Sequence, residues 1–266
     1  MKKKAKKKII LVPTSGGKDS QLCLQLAIQR YGKMAVFGVF NDTQWDHPLT
    51  YAHLDYMREA YGVGIYATKG FTNTRTGEHI GGIKDAIIKN GKFPHGSGRF
   101  CTMYLKQYAL AQWFKHYVAT HKTIDNLEVE MWFGMRSAES SDRRIRYAGK
   151  LEEELYDAND VFPARYPAYL RKHFKIKLPI LSMGTETVFN LIAKAGYQVN
   201  PLYEEGTNNR VGCYPCMLAS KKVQTAMLST PFGEQRILEI KELEEIIGKK
   251  YEMYDTDQGS CEVCKI

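Results

Sequence analysis

One hexapeptide constrains this chain more than any other feature: Ser15-Gly16-Gly17-Lys18-Asp19-Ser20. It follows a short apolar run over residues 8–13 and opens an amphipathic stretch from Asp19 to Tyr31. That order reads strand, glycine loop, helix. Glycines let backbone N–H groups approach an anion closely, and the helix start adds its positive end. Lys18 supplies a full charge, and Ser15 and Ser20 supply hydroxyl donors. Asp19 reads as a magnesium ligand or a helix-start carboxylate. The spacing is not that of a Walker A loop. The plainer alternative is a glycine turn that caps a helix.

The same alternation continues along the chain. Strands are expected at 34–40, 63–67 and 129–133, and helices at 49–61, 83–89 and 103–120. Strands that are apolar throughout and alternate with helices imply an α/β fold, a parallel twisted sheet with helices on both faces. Ligands of such sheets bind at the carboxyl ends of the strands. The polar clusters at 14–20, 41–46 and 134–143 all fall there. After residue 150 the pattern changes to an acidic helical turn at 151–156, a basic stretch interrupted by prolines, and helices at 185–195, 217–229 and 233–248. Thr185 is a candidate N-cap. This divides the chain into a phosphate-binding core (1–150), a basic and helical portion bearing Cys213-x-x-Cys216 packed on that core (151–250), and a mobile polar tail (251–266).

Charge narrows the partners. The formal net charge is +9, with six lysines among the first eight residues. A second basic stretch runs through Arg143, Arg144, Arg146, Arg165, Arg171, Lys172, Lys175 and Lys177, interleaved with Tyr147, Phe162, Tyr166, Tyr169 and Phe174. Cations among aromatics suit a groove for bases and phosphates, so nucleic acid is a candidate partner. A solvated basic surface is the alternative. No apolar run approaches the ~20 residues of a membrane span. The apolar stretch after the lysines is too short for a signal peptide. The reading is a cytoplasmic protein without membrane contact.

Six cysteines are present: Cys23, Cys101, Cys213, Cys216, Cys261 and Cys264. A reducing compartment argues against a disulfide framework, and two C-x-x-C spacings fit metal, iron–sulfur or redox use. Cys23 falls on the apolar face of the first helix and reads as packing.

Several segments also resemble a known family. Ser15 to Ser20 resembles the PP-loop of ATP pyrophosphatases, which release pyrophosphate and adenylate a substrate. Phe40-Asn41-Asp42-Thr43 resembles the family's second-strand end that contacts the nucleotide, which implicates Asp42. Arg99-Phe100-Cys101-Thr102 with Lys106 resembles its R-x-C-T…K element. Gly134-Met135-Arg136-Ser137-Ala138-Glu139-Ser140 with Arg143 resembles G-x-R-x-x-E-S…R. Asn200-Pro201-Leu202-Tyr203, Gly206, Arg210 and Gly212-Cys213-x-x-Cys216 resemble N-P-L-Y…G…G-C-x-x-C. The set is similar to the phosphoadenosine phosphosulfate reductase-like branch, and closest in motifs to the ATP pyrophosphatases of DNA phosphorothioation.

The resemblance implies ATP and Mg2+ at the loop. Arg136 and Arg143 are expected to clamp an oxyanion, with Glu139 orienting an arginine or binding magnesium. Glu139 and Arg143 are also i, i+4 neighbours, so a surface ion pair is the alternative. Cys101, Cys213 and Cys216 would hold an iron–sulfur [4Fe-4S] cluster with an open site; zinc or a bare dithiol are alternatives. The tandem Cys-Cys of cluster-bearing reductases is missing. Cys261 would carry sulfur from a cysteine desulfurase. The expected function is ATP cleavage that activates a substrate for sulfur transfer, with nucleic acid as acceptor, DNA ahead of tRNA. Alternatives are a sulfonucleotide reductase, a sulfate adenylyltransferase small subunit, and a non-catalytic binder of ATP and nucleic acid. A homodimer is also implied.

Overall fold

The computed structural model describes residues 7–96, 98–121, 127–162, 166–204 and 210–253. Its first unit is strand β1 (Lys7–Pro13), the glycine loop and helix α1 (Lys18–Tyr31). Then come β2 (Val36–Asn41), α2 (Pro48–Tyr61), β3 (Ile65–Thr68), a small hairpin of β4 (Phe71–Thr72) and β5 (His79–Ile80), and α3 (Ile83–Asn90). A π-helical turn, Thr102–Tyr108, runs into α4 (Ala109–His121). After β6 (Leu127–Trp132) follow α5 (Ser141–Arg146), β7 (Tyr156–Asp157), α6 (Ala158–Val161), α7 (Ala168–His173) and β8 (Phe174–Lys177). Helices α8 (Thr185–Lys194), α9 (Lys221–Leu228) and α10 (Pro231–Ile247) close the described chain.

The main sheet has the order β3-β2-β1-β6-β8-β7. Its first five strands are parallel, and β7 runs antiparallel to β8 at the edge. The alternation of β1 explains why both faces are covered. Ile9 and Leu11 enter one apolar cluster with Phe114, Leu170 and Phe174. Ile10 and Val12 enter the other with Leu22, Leu54 and Val188. Helices α4, α6 and α7 therefore cover one face, and α1, α2 and α8 the other. A third cluster packs α3 and the π-helical turn against α10. The parallel sheet and its two helical layers meet the expectation from the sequence.

Three expectations are corrected. The sheet does not end near residue 150, because β8 pairs with β6 from Val129↔Phe174 to Trp132↔Lys177. Phe174 and Ile176 alternate inward along β8, so part of the basic stretch is a buried strand. Of the aromatics of that stretch, Tyr147, Phe162, Tyr166 and Phe174 are all buried, and the first three also line the cleft described below. Apolar ring area outweighs the neighbouring charges: Lys172 and Lys175 stay exposed while the rings fill the sheet face, and Lys177 is buried with them. The helix expected from Thr185 is capped by Gly184, and the acidic turn at 151–156 leads into β7 instead of helix. The expected tail lies largely outside the described residues, and Cys261 and Cys264 with it.

Candidate active site

The carboxyl ends of β1, β2 and β6 open onto one cleft with two lobes. The polar lobe, about 180 Å3, is lined by Ser15, Gly17, Asp19, Ser20, Glu139, Arg143, Tyr203 and Arg210. The apolar lobe, about 240 Å3, has walls from Phe40, Leu110, Phe162 and Tyr166, and polar groups from Asn41, Thr43, Asp46, Lys106 and Cys213. Pro13, Ser15, Phe133, Met135 and Arg143 line both lobes. The two spaces are thus one site with two chemistries.

The loop is built as a cradle. Gly16 has φ +73°, a conformation glycine adopts without strain. The Ser15 N–H donates to Ser20 Oγ at 3.1 Å, and Ser20 Oγ–H donates to the Gly17 carbonyl at 2.9 Å. From across the cleft, Asn200 Nδ2 donates to the Gly16 carbonyl at 3.2 Å. These bonds fix the loop before any ligand arrives.

Charges around the cradle are paired with one another. Asp19 meets Lys18 Nζ at 3.1 Å through one oxygen and Arg136 Nε at 2.7 Å through the other. Glu139 accepts the Arg136 backbone N–H at 3.1 Å and pairs with Arg143. The sequence expectation placed Lys18 on the anion. Instead its side chain is buried behind the loop, 5.3 Å from the Tyr203 ring centroid and 5.6 Å from that of Phe189. Desolvation lowers its pKa against the pull of Asp19. Arg136 is likewise buried, holding Asp19 and the Met183 carbonyl. The cations that face the polar lobe are Arg143 and Arg210.

Both carboxylates expected to bind magnesium, Asp19 and Glu139, are committed to arginines. That donor set does not fit a resident magnesium ion.

Asp42 is also corrected. Its carboxylate accepts from the Gln44 N–H and the Tyr51 hydroxyl, both at 2.8 Å, outside the cleft. Its neighbours Asn41 and Thr43 line the apolar lobe, as the two-residue alternation at a strand end dictates.

In the apolar lobe, Thr43 Oγ1 donates to Asp46 Oδ2 at 2.8 Å, so the Cys213 thiol 3.3 Å away donates to Thr43. Desolvation pushes the Asp46 carboxyl up to about 6 and the Cys213 thiol up to about 12. A backbone bridge between Asp46 and Cys213, and the Tyr214 N–H donated to the Trp45 carbonyl at 2.7 Å, join the two segments. Asp46 was missed from the sequence; its only signal was membership of the polar cluster at the end of β2.

Cys101, Cys213 and Cys216 each bear on the charge of Lys106, which projects from the π-helical turn and lines the lobe. Cluster and zinc chemistry need thiolates. Burial raises both Cys101 and Cys213, and no group of three His, Cys, Asp or Glu among the described residues stands in a metal-holding arrangement. The expected ligand set is gathered in one region around Lys106 but not assembled among the described residues. Cys23 is buried in the second apolar cluster, as expected.

The fold agrees with comparisons to known proteins. Residues 9–219 match the phosphoadenosine phosphosulfate reductase domain, and the chain belongs to that family. An uncharacterized 37.8 kDa protein from Escherichia phage 186 is 28% identical over 253 residues, spanning 82% of this chain and 69% of that one. Similar solved structures include phosphoadenylyl-sulfate reductase from Candida auris in a phosphate complex (14% identity, TM-score 0.45, 79% of this chain and 82% of that one). Another is the U34-tRNA thiolase NcsA from Methanococcus maripaludis with its iron–sulfur [4Fe-4S] cluster (14% identity, TM-score 0.45, 99% and 82%). Among the described residues no helix is long and apolar enough to cross a membrane.

Proposed function

We propose that this chain cleaves ATP between its α and β phosphates to activate an acceptor for sulfur transfer. An acceptor oxygen attacks the α-phosphorus, the bond from that phosphorus to the bridging oxygen breaks, and pyrophosphate leaves. AMP is then on the acceptor, where a sulfur nucleophile can displace it. The observation that carries this reading is the complete Ser15–Ser20 cradle, opening with Arg143 and Arg210 onto a lobe continuous with a larger cavity. Two arginines, Arg143 and Arg210, and the loop hydroxyls lining one small space suit the departing pyrophosphate. The apolar lobe has room for the rest of the nucleotide and the reacting end of an acceptor, with Lys106 and the shared Arg143 as its cations. Thiols beside Lys106 support a sulfur chemistry. The net charge of +9 supports a polyanionic acceptor, with DNA ahead of tRNA, and a cysteine desulfurase as sulfur source.

The test is pyrophosphate release from Mg–ATP by anaerobically purified protein, alone and with DNA or tRNA. Arg143→Ala is the control, and its rate is expected to fall about 100-fold or more. Stimulation by one nucleic acid names the acceptor class. A second reading, favoured by the reductase-domain match over residues 9–219, is reduction of an adenylyl sulfate. Sulfite formed from such a substrate, with no pyrophosphate from ATP under any condition, would replace the first reading by the second.

A further inference from the structure

The polar lobe contains a hydroxyl that the roles above leave unused. Tyr203 OH accepts the Lys18 backbone N–H at 2.9 Å. That amide belongs to the first turn of α1, where N–H groups have no partner within the helix. A phenol has one proton to give as well as lone pairs to accept. Among the described residues the Tyr203 proton has no acceptor, and the side chain lines the polar lobe beside Gly17 and Arg210.

We propose that Tyr203 is a substrate-positioning donor: its hydroxyl takes the Lys18 N–H and passes a hydrogen bond on to the anion held in the polar lobe. The cradle then reaches one hydroxyl further than the loop backbone alone. The ligand class is a tetrahedral oxyanion, either the pyrophosphate half of ATP or a sulfate group. This inference rests on the polar lobe being the anion site.

The surroundings hold the ring in place for this role. Phe189 meets it edge-on, with centroids 5.2 Å apart and planes at 90°. The Lys18 ammonium sits 5.3 Å from its centroid on another side. The turn Pro201–Tyr203 is capped by fully buried Asn200, whose Oδ1 accepts the Leu202 N–H at 3.0 Å while its Nδ2 grips the Gly16 carbonyl. Loop and hydroxyl are thus registered through one asparagine. The second glycine also gains a reason, since a Cβ on Gly17 would stand 3.1 Å from the Tyr203 oxygen. Burial pushes the Tyr203 pKa far above its ordinary value, so the group remains a neutral donor at physiological pH.

Calorimetric titration of the full chain with inorganic pyrophosphate, sodium sulfate and AMP tests this. Tyr203→Phe removes only the hydroxyl. Pyrophosphate binding is expected to weaken about tenfold or more, as for a lost hydrogen bond to a charged group, with AMP binding unchanged. A purely structural role for the tyrosine would weaken AMP and pyrophosphate together, and that result overturns the inference. So does Tyr203→Phe protein that binds pyrophosphate as tightly as the wild type, which leaves the ATP reading standing. Wild-type protein that ignores pyrophosphate but binds sulfate through the Tyr203 hydroxyl keeps the inference and removes the ATP reading. Wild-type protein that binds neither anion removes both.

Discussion

The two lobes of the cleft are built on opposite terms. In the polar lobe, charged groups answer one another: Lys18 and Arg136 share Asp19, and Arg143 pairs with Glu139. In the apolar lobe, polar groups are left strained by burial. The Asp46 carboxyl is pushed up to about 6, the Cys213 thiol up to about 12, and Asn41 Oδ1 is buried without a partner among the described residues. A buried charge network that is fully satisfied rigidifies, whereas buried polar groups left wanting partners cost stability and await a ligand. The polar lobe therefore resembles a finished receptor for an invariant part of the substrate. The apolar lobe, on the proposed function, is completed only when the reacting partner enters.

The sharpest way to break this contrast is Arg136→Met. The change leaves Asp19 facing Lys18 alone and deprives the Met183 carbonyl of its donor. Removing one member of a buried ion pair typically costs about 3–5 kcal/mol. We expect a loss near the lower end, since Asp19 retains Lys18, together with a fall in pyrophosphate release of about 100-fold or more. Denaturant titration and the release assay read the two effects separately. A variant with wild-type stability would mean that the polar lobe is not held together by its own charges.

Support from behind the loop gives the next effect. His53, buried in α2, meets Gln21 Oε1 at 3.0 Å; Gln21 Nε2 donates to the Gln198 carbonyl at 2.7 Å, and the Gln198 N–H donates to Tyr56 at 2.8 Å. This chain ties α1 and α2 to the segment that carries Asn200 and Tyr203. Desolvation lowers the His53 pKa from 6.5 to about 4. Because the folded form resists protonation, the unfolded chain binds more protons as the pH falls. The contribution is fully present above pH 6.5, declines below it, and is gone below about 4, a difference of about 3 kcal/mol. Urea midpoints measured from pH 7.5 down to 4.5 should fall more steeply for the wild type than for His53→Gln. Equal slopes would show that His53 is not the group that makes the loop's support acid-sensitive.

The polar lobe was also the more legible of the two. A strand, a glycine run and a helix start are local in sequence, so Ser15 to Ser20 announced the cradle without tertiary information. What remained hidden depends on facing. Lys18 was assigned to the anion because it stands in the loop, yet the first turn of α1 turns it toward Phe189 and Tyr203. Asp42 was implicated by the resemblance of Phe40–Thr43 to a family motif, although strand alternation sends it out of the cleft. The alternation of Phe174 and Ile176 was present in the basic stretch, but four residues flanked by prolines and cations gave too short a pattern to outweigh the charge. Cys101, Cys213 and Cys216 were grouped from motif order alone, and all three act on the charge of Lys106. Motif order says nothing of whether their sulfur atoms assemble, which tertiary geometry decides.

The smallest effect separates the lobes most cleanly, because its sign should invert. Asn41 ends β2, lines the apolar lobe and buries an amide oxygen with no hydrogen-bond partner among the described residues. Leaving a buried acceptor unsatisfied costs stability, and an apolar group of similar shape relieves that cost. Asn41→Leu should therefore raise the unfolding free energy by about 1 kcal/mol. The same oxygen is an acceptor offered to the ligand, so the variant should raise the KM for ATP by roughly fivefold, the value of one neutral hydrogen bond. Arg136→Met loses stability and activity together; Asn41→Leu trades one for the other, as residues kept for function rather than folding do. If Asn41→Leu proves destabilising, its amide is satisfied in the free protein, and the apolar lobe is as finished as its neighbour.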